Sequence, residues 1–394
     1  MARILLAIHN VHGEPLSGAA RSMRIIARWL SQAGHEVGVL STARFESTPS
    51  GDLSTHLAGM GIEIGWRDPE VACPEGHYVE DGVRVRVLAT TRNDMAHPDA
   101  AEDSRYLEVF DRLLREDQPQ IVMSYGAHRV LHEALRRARL TGARTVFSVR
   151  AKGYEQSGWY RHADHVLTTN AYMVRYLDRH AGVAATGIAS PIDWAETLGT
   201  EETRGFVTFV NPTLAKGLAL FARLAYMLGR RRPDIPILVV RSTGDPGVLA
   251  RIPGLDLARY EQILVSPPLA RPADIFSLTR ILLAPSVLAE PFARVAAEAL
   301  INGVPPIVSD RGGLFETVDD GGIVLPLPEW MTPDTRRVPE EAEVEPWFAA
   351  VTRLWDDDQA YAAASAAARA AGVRLYGEER LRAAYDRWFR RIAK

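Results

Sequence analysis

The chain opens on a continuous apolar run at residues 4–8, as a strand buried on both faces requires. A loop bearing Gly13, Pro15 and Gly18 follows. Then Met23, Ile26, Ala27 and Leu30 recur at helical spacing up to Gly34, a helix-ending glycine. Residues 35–41 form the next apolar run. Strand, loop, helix and strand in sequence make the βαβ unit of a parallel sheet. The alternation continues. Residues 76–88 predict a hairpin turning at Glu80-Asp81-Gly82. Residues 101–116 predict a helix, and residues 121–124, 145–149, 165–169 and 186–189 predict short strands. Residues 193–204 are polar and acidic, the composition of a linker. A second series starts at Phe206, with strands predicted at 206–210, 235–240, 263–265, 281–284, 306–309 and 322–325. The tail from Glu345 is helical, and its last helix spans residues 378–392.

The expected architecture is therefore α/β, with two Rossmann-like, doubly wound domains facing across a cleft. The first domain takes residues 1–195, a linker 196–204 and the second domain 205–376, while the helix in 377–394 crosses back to the first. Open parallel sheets bind ligands beyond the carboxyl ends of their strands, and clefts between domains hold small molecules. Dehydrogenases, periplasmic-type binders, kinases and sugar transferases all fit that outline.

Composition narrows it only by exclusion. A chain of 394 residues exceeds one ordinary core, and 47% hydrophobic residues exclude a disordered chain. A net charge of −3 argues against a dedicated nucleic-acid binder. The single cysteine, Cys73, excludes an internal disulfide framework and a multi-cysteine metal site. No apolar stretch reaches membrane-spanning length and the start is unlike a leader, so a soluble cytoplasmic protein is expected. The basic stretch 128–144 and the last helix, with Trp388, Phe389, Arg390 and Arg391, are of a kind that can lie weakly on anionic lipid. The negative net charge favours an ordinary solvated face instead.

The informative chemistry lies in residues 284–313. Glu290 and Glu298 flank Pro291, a residue suited to the first turn of a helix. That start would put Glu290 beside the helix's free amides, where a diphosphate can also bind. Eight residues on, Glu298 would stand about two turns away, roughly 12 Å along the axis. Carboxylates so spaced cannot share one metal or one proton, but they can hold hydroxyls at two ends of a sugar nucleotide. An amphipathic helix with an acidic cap has the same spacing. The strand after it ends in Gly312-Gly313, which have no side chains to bar a ligand from backbone N–H groups.

With Glu290-x7-Glu298, Gly303-Val304-Pro305 and Gly312-Gly313, this segment resembles the retaining family 4 glycosyltransferases of GT-B fold. Ser17-Gly18, residues 33–37, Ser190-Pro191-Ile192-Asp193 and residues 206–217 are similar to other parts of that family's pattern. The resemblance implies transfer of a hexose-type sugar from a nucleotide diphosphate, of UDP or GDP type, with retention. It implies no cofactor and no metal. Glu298 would hold the ribose hydroxyls and Glu290 those of the donor sugar. The amides at Phe292, Ala293 and Arg294 would face the diphosphate, Lys216 would neutralise it as it leaves, and Gly18 would let a loop approach the donor. The acceptor, a small molecule, lipid or glycan, would meet His12, Tyr125, Arg150 and Lys152, with His128 as the candidate catalytic histidine, shifted from the family's place.

Asn211 stands where the family usually has arginine, leaving Arg241 and Arg294 as compensating cations. That change leaves room for a non-catalytic subunit of the same fold, or another GT-B enzyme such as a sugar-nucleotide epimerase. Only three lysines occur among the 46 basic residues: Lys152, Lys216 and Lys394. Arginine fills nearly every basic position, a bias that codon usage in a GC-rich genome would produce, so a lysine at 216 stands out. Asp356-Asp357-Asp358, between two tail helices, reads as a solvated cap rather than a metal site.

Overall fold

The structure is a computed structural model that describes residues 1–46, 52–67, 69–95, 99–241, 249, 252, 254–269 and 271–394. It divides into two units, one of Met1–Pro191 with Glu379–Lys394, the other of Ile192–Glu378.

In the first unit, in chain order, lie β1 (Arg3–Ala7), α1 (Gly18–Gln32), β2 (Glu36–Thr42), α2 (Leu53–Gly59), β3 (Gly65–Arg67), β4 (Glu75–Glu80) and β5 (Val83–Leu88). Then come α3 (Ala100–Glu116), β6 (Ile121–Ser124), α4 (Arg129–Leu140), β7 (Arg144–Ser148), β8 (His165–Thr168), α5 (Ala171–Ala181) and β9 (Thr186–Gly187). The sheet runs β3-β4-β5-β2-β1-β6-β7-β8-β9. It is parallel except where β4 pairs antiparallel with β3 and β5. Its central strands are buried on both faces: β6 is wholly buried, and β1 is buried from Ile4 onward. Continuous apolar runs make such strands. Helix α1 starts where the Ser17 side chain accepts from the Ala20 N–H, and it buries Met23, Ile26, Ala27 and Leu30 against the sheet.

In the second unit lie α6 (Trp194–Thr197), β10 (Phe206–Val210), α7 (Leu218–Arg231), β11 (Ile237–Val240), β12 (Ile263–Ser266), α8 (Pro272–Phe276) and β13 (Thr279–Ala284). They are followed by α9 (Arg294–Ile301), β14 (Pro306–Ser309), α10 (Leu314–Val318), β15 (Ile323–Leu325), α11 (Glu341–Asp356) and α12 (Asp358–Tyr376). The sheet is parallel, in the order β12-β11-β10-β13-β14-β15. The polar segment read as a linker is fastened to this unit. Asp193 caps α6, Gly199 N–H donates to Asn302 Oδ1 (2.9 Å) and Thr200 N–H donates to Ser277 Oγ (3.0 Å).

The final helix, α13 (Glu378–Ile392), belongs to the first unit from Glu379 onward. Leu381, Tyr385, Trp388, Phe389 and Ile392 join the same apolar cluster as Trp29 and Leu30. Tyr385 Oη donates to Ala189 O (3.0 Å), and His35 Nε2 lies 2.9 Å from Asp386 Oδ1. The aromatic face considered for lipid contact is thus spent on protein, Phe389 being fully buried. On α4, Arg136 and Arg137 pair with Glu133, and Arg139 lies 3.3 Å from Asp164. No helix among the described residues is long and apolar enough to cross a membrane.

Candidate active site

Both sheets reverse their strand order once beside a central strand: β1 lies between β2 and β6, and β10 between β11 and β13. Loops leaving the carboxyl ends of such neighbours part to opposite sides and open a crevice. The chemistry-bearing residues gather at these two points.

In the second unit, β10 ends in a tight turn. Asn211 adopts φ +62° and donates its N–H to Val240 O (2.8 Å). Asparagine tolerates that left-handed conformation better than arginine, which gives the residue at this place a local structural reason. A short 3-10 turn, Leu214–Lys216, follows, with Thr213 Oγ1 accepting from Lys216 N–H (3.3 Å). Gly217 adopts φ +90°, and a Cβ there would lie 2.0 Å from Pro285 O. The loop after β10 therefore closes on the loop after β13. Ala215 O accepts from Val287 N–H (3.0 Å), Leu288 N–H (2.9 Å) and Ser286 Oγ (3.1 Å). Ser309 Oγ, on β14, donates to Ser286 O (2.6 Å). This lacing brings Lys216 Nζ to 2.6 Å from Glu290 Oε2, with the glutamate side chain 9% exposed and the lysine 32%.

Two expectations about this segment are corrected. Helix α9 begins at Arg294 with Ala293 as its N-cap, so Pro291 precedes the helix and Glu290 does not cap it. The Glu290 carbonyl, which would accept the first helical bond of an earlier start, instead accepts Gly313 N–H at 2.7 Å. The two-turn axial spacing between the glutamates therefore does not hold. Gly312-Gly313 also does a different job. Gly312 adopts φ +64°, and a Cβ there would lie 2.5 Å from Glu290 N and O. These glycines let two loops touch and fix Glu290, and the Gly313 N–H is spent on the Glu290 carbonyl rather than bared for a ligand. Glu298 is buried on α9, and Arg294 Nε donates to its Oε1 (2.9 Å). Phe292 meets Tyr376 edge-on, with centroids 5.8 Å apart. Arg241 follows β11, its N–H donating to Ser266 O (3.2 Å), immediately before residues 242–248, which lie outside the described ones.

At the β1/β6 point of the first unit, Tyr125 Oη donates to Asn10 Oδ1 (2.7 Å). Burial raises the phenol well above its ordinary value, as does the charge of Glu46. The His9 and His128 rings lie 4.7 Å apart, and His9 Nε2 is 3.3 Å from Asp103 Oδ1. Burial, then the neighbouring His9, pushes the His128 imidazole down to about 4. Gly18 opens α1 behind its cap Ser17, whose Oγ donates to Glu46 Oε2 (2.9 Å). Glu46 N–H in turn donates to buried Glu14 Oε2 (2.7 Å).

The other residues expected on this side do not join that cluster. His12 is buried with Nε2 at 3.7 Å from Glu80 Oε2, and burial, then Arg24, pushes it down to about 3. Arg150 donates to Ser148 Oγ and Ser190 Oγ, each at 3.0 Å. Lys152 sits over the α5 rings of Tyr176 (4.5 Å) and Tyr172 (5.3 Å), a cation–π site. Sequence reasoning missed Asn10, Glu14, Glu46 and the buried Arg44–Glu102 ion pair. The first two lie in the loop it marked; Glu46 and Arg44 carried no periodic or motif signal. Among the described residues no group of three or more His, Cys, Asp or Glu is placed to hold a metal ion. Asp357 caps α12, while Asp356 pairs with Arg232 and Asp358 with Arg280.

Residues 17–189 match the Glycosyl transferase 4-like domain. No curated protein matches the chain. Among solved structures, a glycosyltransferase from Rickettsia africae is similar at 14% identity, with 100% of this chain and 99% of that one covered and a TM-score of 0.70. Anabaena HepE in complex with UDP-glucose is similar at 13% identity, covering 99% and 100%, TM-score 0.69. The catalytic domain of starch synthase IV from Arabidopsis thaliana, bound to ADP and acarbose, is similar at 11% identity, covering 100% and 99%, TM-score 0.71. The chain thus has the α/β fold of two Rossmann-like, parallel-sheet domains found in these GT-B glycosyltransferases.

Proposed function

We propose that the protein is a retaining glycosyltransferase that moves a hexose-type sugar from a UDP- or GDP-type donor to an acceptor, without a metal ion. The Lys216–Glu290 pair at the β10/β13 reversal carries the reading. A diphosphate entering there would take over the lysine ammonium, and Glu290 would turn to the sugar hydroxyls. The first turn of α9, which no side chain caps, offers amide N–H groups to the same phosphates. Glu298 would accept from ribose hydroxyls with Arg294 holding its orientation. As the glycosidic bond breaks, charge grows on the leaving phosphate, and Lys216 stabilises it most at that moment. The same phosphate would take the acceptor's proton as the acceptor attacks from the face it leaves. Tyr125 and His128, at the β1/β6 reversal, are the acceptor-side candidates, His128 as a neutral hydrogen-bonding imidazole at neutral pH. The N-terminal match to a glycosyltransferase domain and the UDP-glucose and ADP complexes of the similar structures support this reading.

Thermal unfolding with UDP, GDP, ADP and their glucose conjugates tests it, because a ligand of the folded state raises Tm by linkage. One nucleotide should protect the wild type and fail to protect Glu298→Gln, and its sugar should be transferred or slowly hydrolysed. Protection by none, or rapid epimerisation of the sugar without acceptor, would overturn the reading.

A further inference from the structure

A cavity of about 610 Å3 lies at the other end of the same sheet from Lys216. It opens where the chain enters β10 and β14, between the residues before β10, the end of α9 and one face of α12. Two alanines of that face, Ala362 and Ala366, help leave the space open. Two arginines and one acid, Glu201, line it. The Arg204 side chain is 7% exposed; its Nε donates to Phe276 O (3.1 Å), and Glu201, 3.7 Å away, is 83% exposed. That carboxylate offsets part of the buried charge from the solvent side. Arg369 donates to Ile301 O and stands 5.1 Å from the Trp194 ring, with no carboxylate paired to it among the described residues. Burial lowers the Arg204 pKa, Glu201 and then Tyr361 oppose it, and Arg369 adds a smaller lowering. Tyr361, on the same wall, lies under the Arg280 guanidinium at 3.9 Å.

A buried guanidinium and an exposed one beside it, with only an exposed acid near them, are complementary to an oxyanion, which accepts from their planar N–H forks. The volume exceeds what inorganic phosphate needs. We propose that this cavity is a binding site for a small phosphate- or carboxylate-bearing metabolite, held by Arg204 and Arg369 and separate from the donor site. Asn302 links the two places: its Nδ2 donates to Thr197 O (3.0 Å) and to the main-chain oxygen of Glu298 (2.8 Å), and its Oδ1 accepts from Gly199.

The test is thermal unfolding at matched ionic strength with sodium phosphate, sodium citrate and, as neutral control, glucose, each to about 10 mM. Wild type, Lys216→Ala, Arg204→Gln, Arg204→Lys and Ala366→Leu are compared. At least one oxyanion should raise Tm in wild type and Lys216→Ala alike, while glucose does not. Arg204→Gln and Ala366→Leu should weaken binding at least about tenfold, and Arg204→Lys, which keeps the charge but not the fork, should lose less than Arg204→Gln, which separates lost charge from lost fold. No oxyanion effect on wild type, an effect unchanged in Arg204→Gln, or one abolished by Lys216→Ala overturns the proposal. The Lys216→Ala arm also keeps it independent of the donor-site reading.

Discussion

The Lys216 ammonium lies 2.6 Å from the carboxylate of Glu290, a residue 74 positions further along the chain. Neither side chain finds the other by chance, because the main chains of their loops are hydrogen-bonded at Ala215. Lys216→Ala should lose about 100-fold or more in kcat, the scale for removing one group that stabilises developing charge. Lys216→Arg is the sharper variant, since a planar guanidinium cannot repeat a compact point charge inside so tight a turn. It should recover less than about a tenth of wild-type turnover. Near-normal turnover would show that charge alone is needed.

Glu298 and Arg294 form a pair one helical turn apart. Glu298→Gln should raise the Kd for the preferred nucleotide about 10- to 100-fold, the worth of a charge-assisted hydrogen bond. Arg294→Ala should weaken the same binding by less, through lost orientation. Calorimetric titration reads both, and unchanged affinity in Glu298→Gln would remove Glu298 from the ribose.

Gly312 and Gly34 both have positive φ, of +64° and +85°, but different surroundings. A Cβ at Gly312 would strike Glu290, whereas one at Gly34 would meet nothing within 4 Å. Gly312→Ala should therefore cost about 1–3 kcal/mol of stability and most of the activity. Gly34→Ala should cost about 1 kcal/mol and leave turnover intact. Paired melting curves and assays decide between a backbone effect and displacement of Glu290.

Buried His12 and half-buried His128 both have folded pKa values below the ordinary 6.5, at about 3 and about 4. The unfolded chain binds protons first as pH falls, so their contribution to stability is complete above pH 6.5 and declines from there towards pH 4. His12→Gln should flatten that acid limb in denaturant titrations between pH 4 and 7. An unchanged slope would mean that His12 titrates normally in the folded protein.

Most of the strand ladder is legible as apolar runs: residues 206–210 and 306–309 are strands as read, and the 76–88 hairpin spans Glu75–Leu88 around Asp81-Gly82. Local patterning decides these elements. The start of α9 was not legible, because Pro291 suits a first turn and only the tertiary bond from Gly313 to Glu290 displaces it. The Glu290–Lys216 pairing and the Asn10–Tyr125 bond were out of reach for the same reason. They arise from strand order, which no run of residues spells out. Lys216 still stood out, through a composition in which lysine is otherwise nearly absent.

The placement of α13 has a consequence for synthesis. A ribosome delivers the first unit's sheet early but releases Tyr385, Trp388 and Phe389, which complete its apolar cluster, only after the whole second unit has been made. The second unit is contiguous in the chain and needs nothing made after it. The half made first is thus the half that finishes folding last. Until α13 emerges, Trp29 and Leu30 lack part of their cover, so nascent chains stalled before α13 are the ones that nascent-chain chaperones should hold.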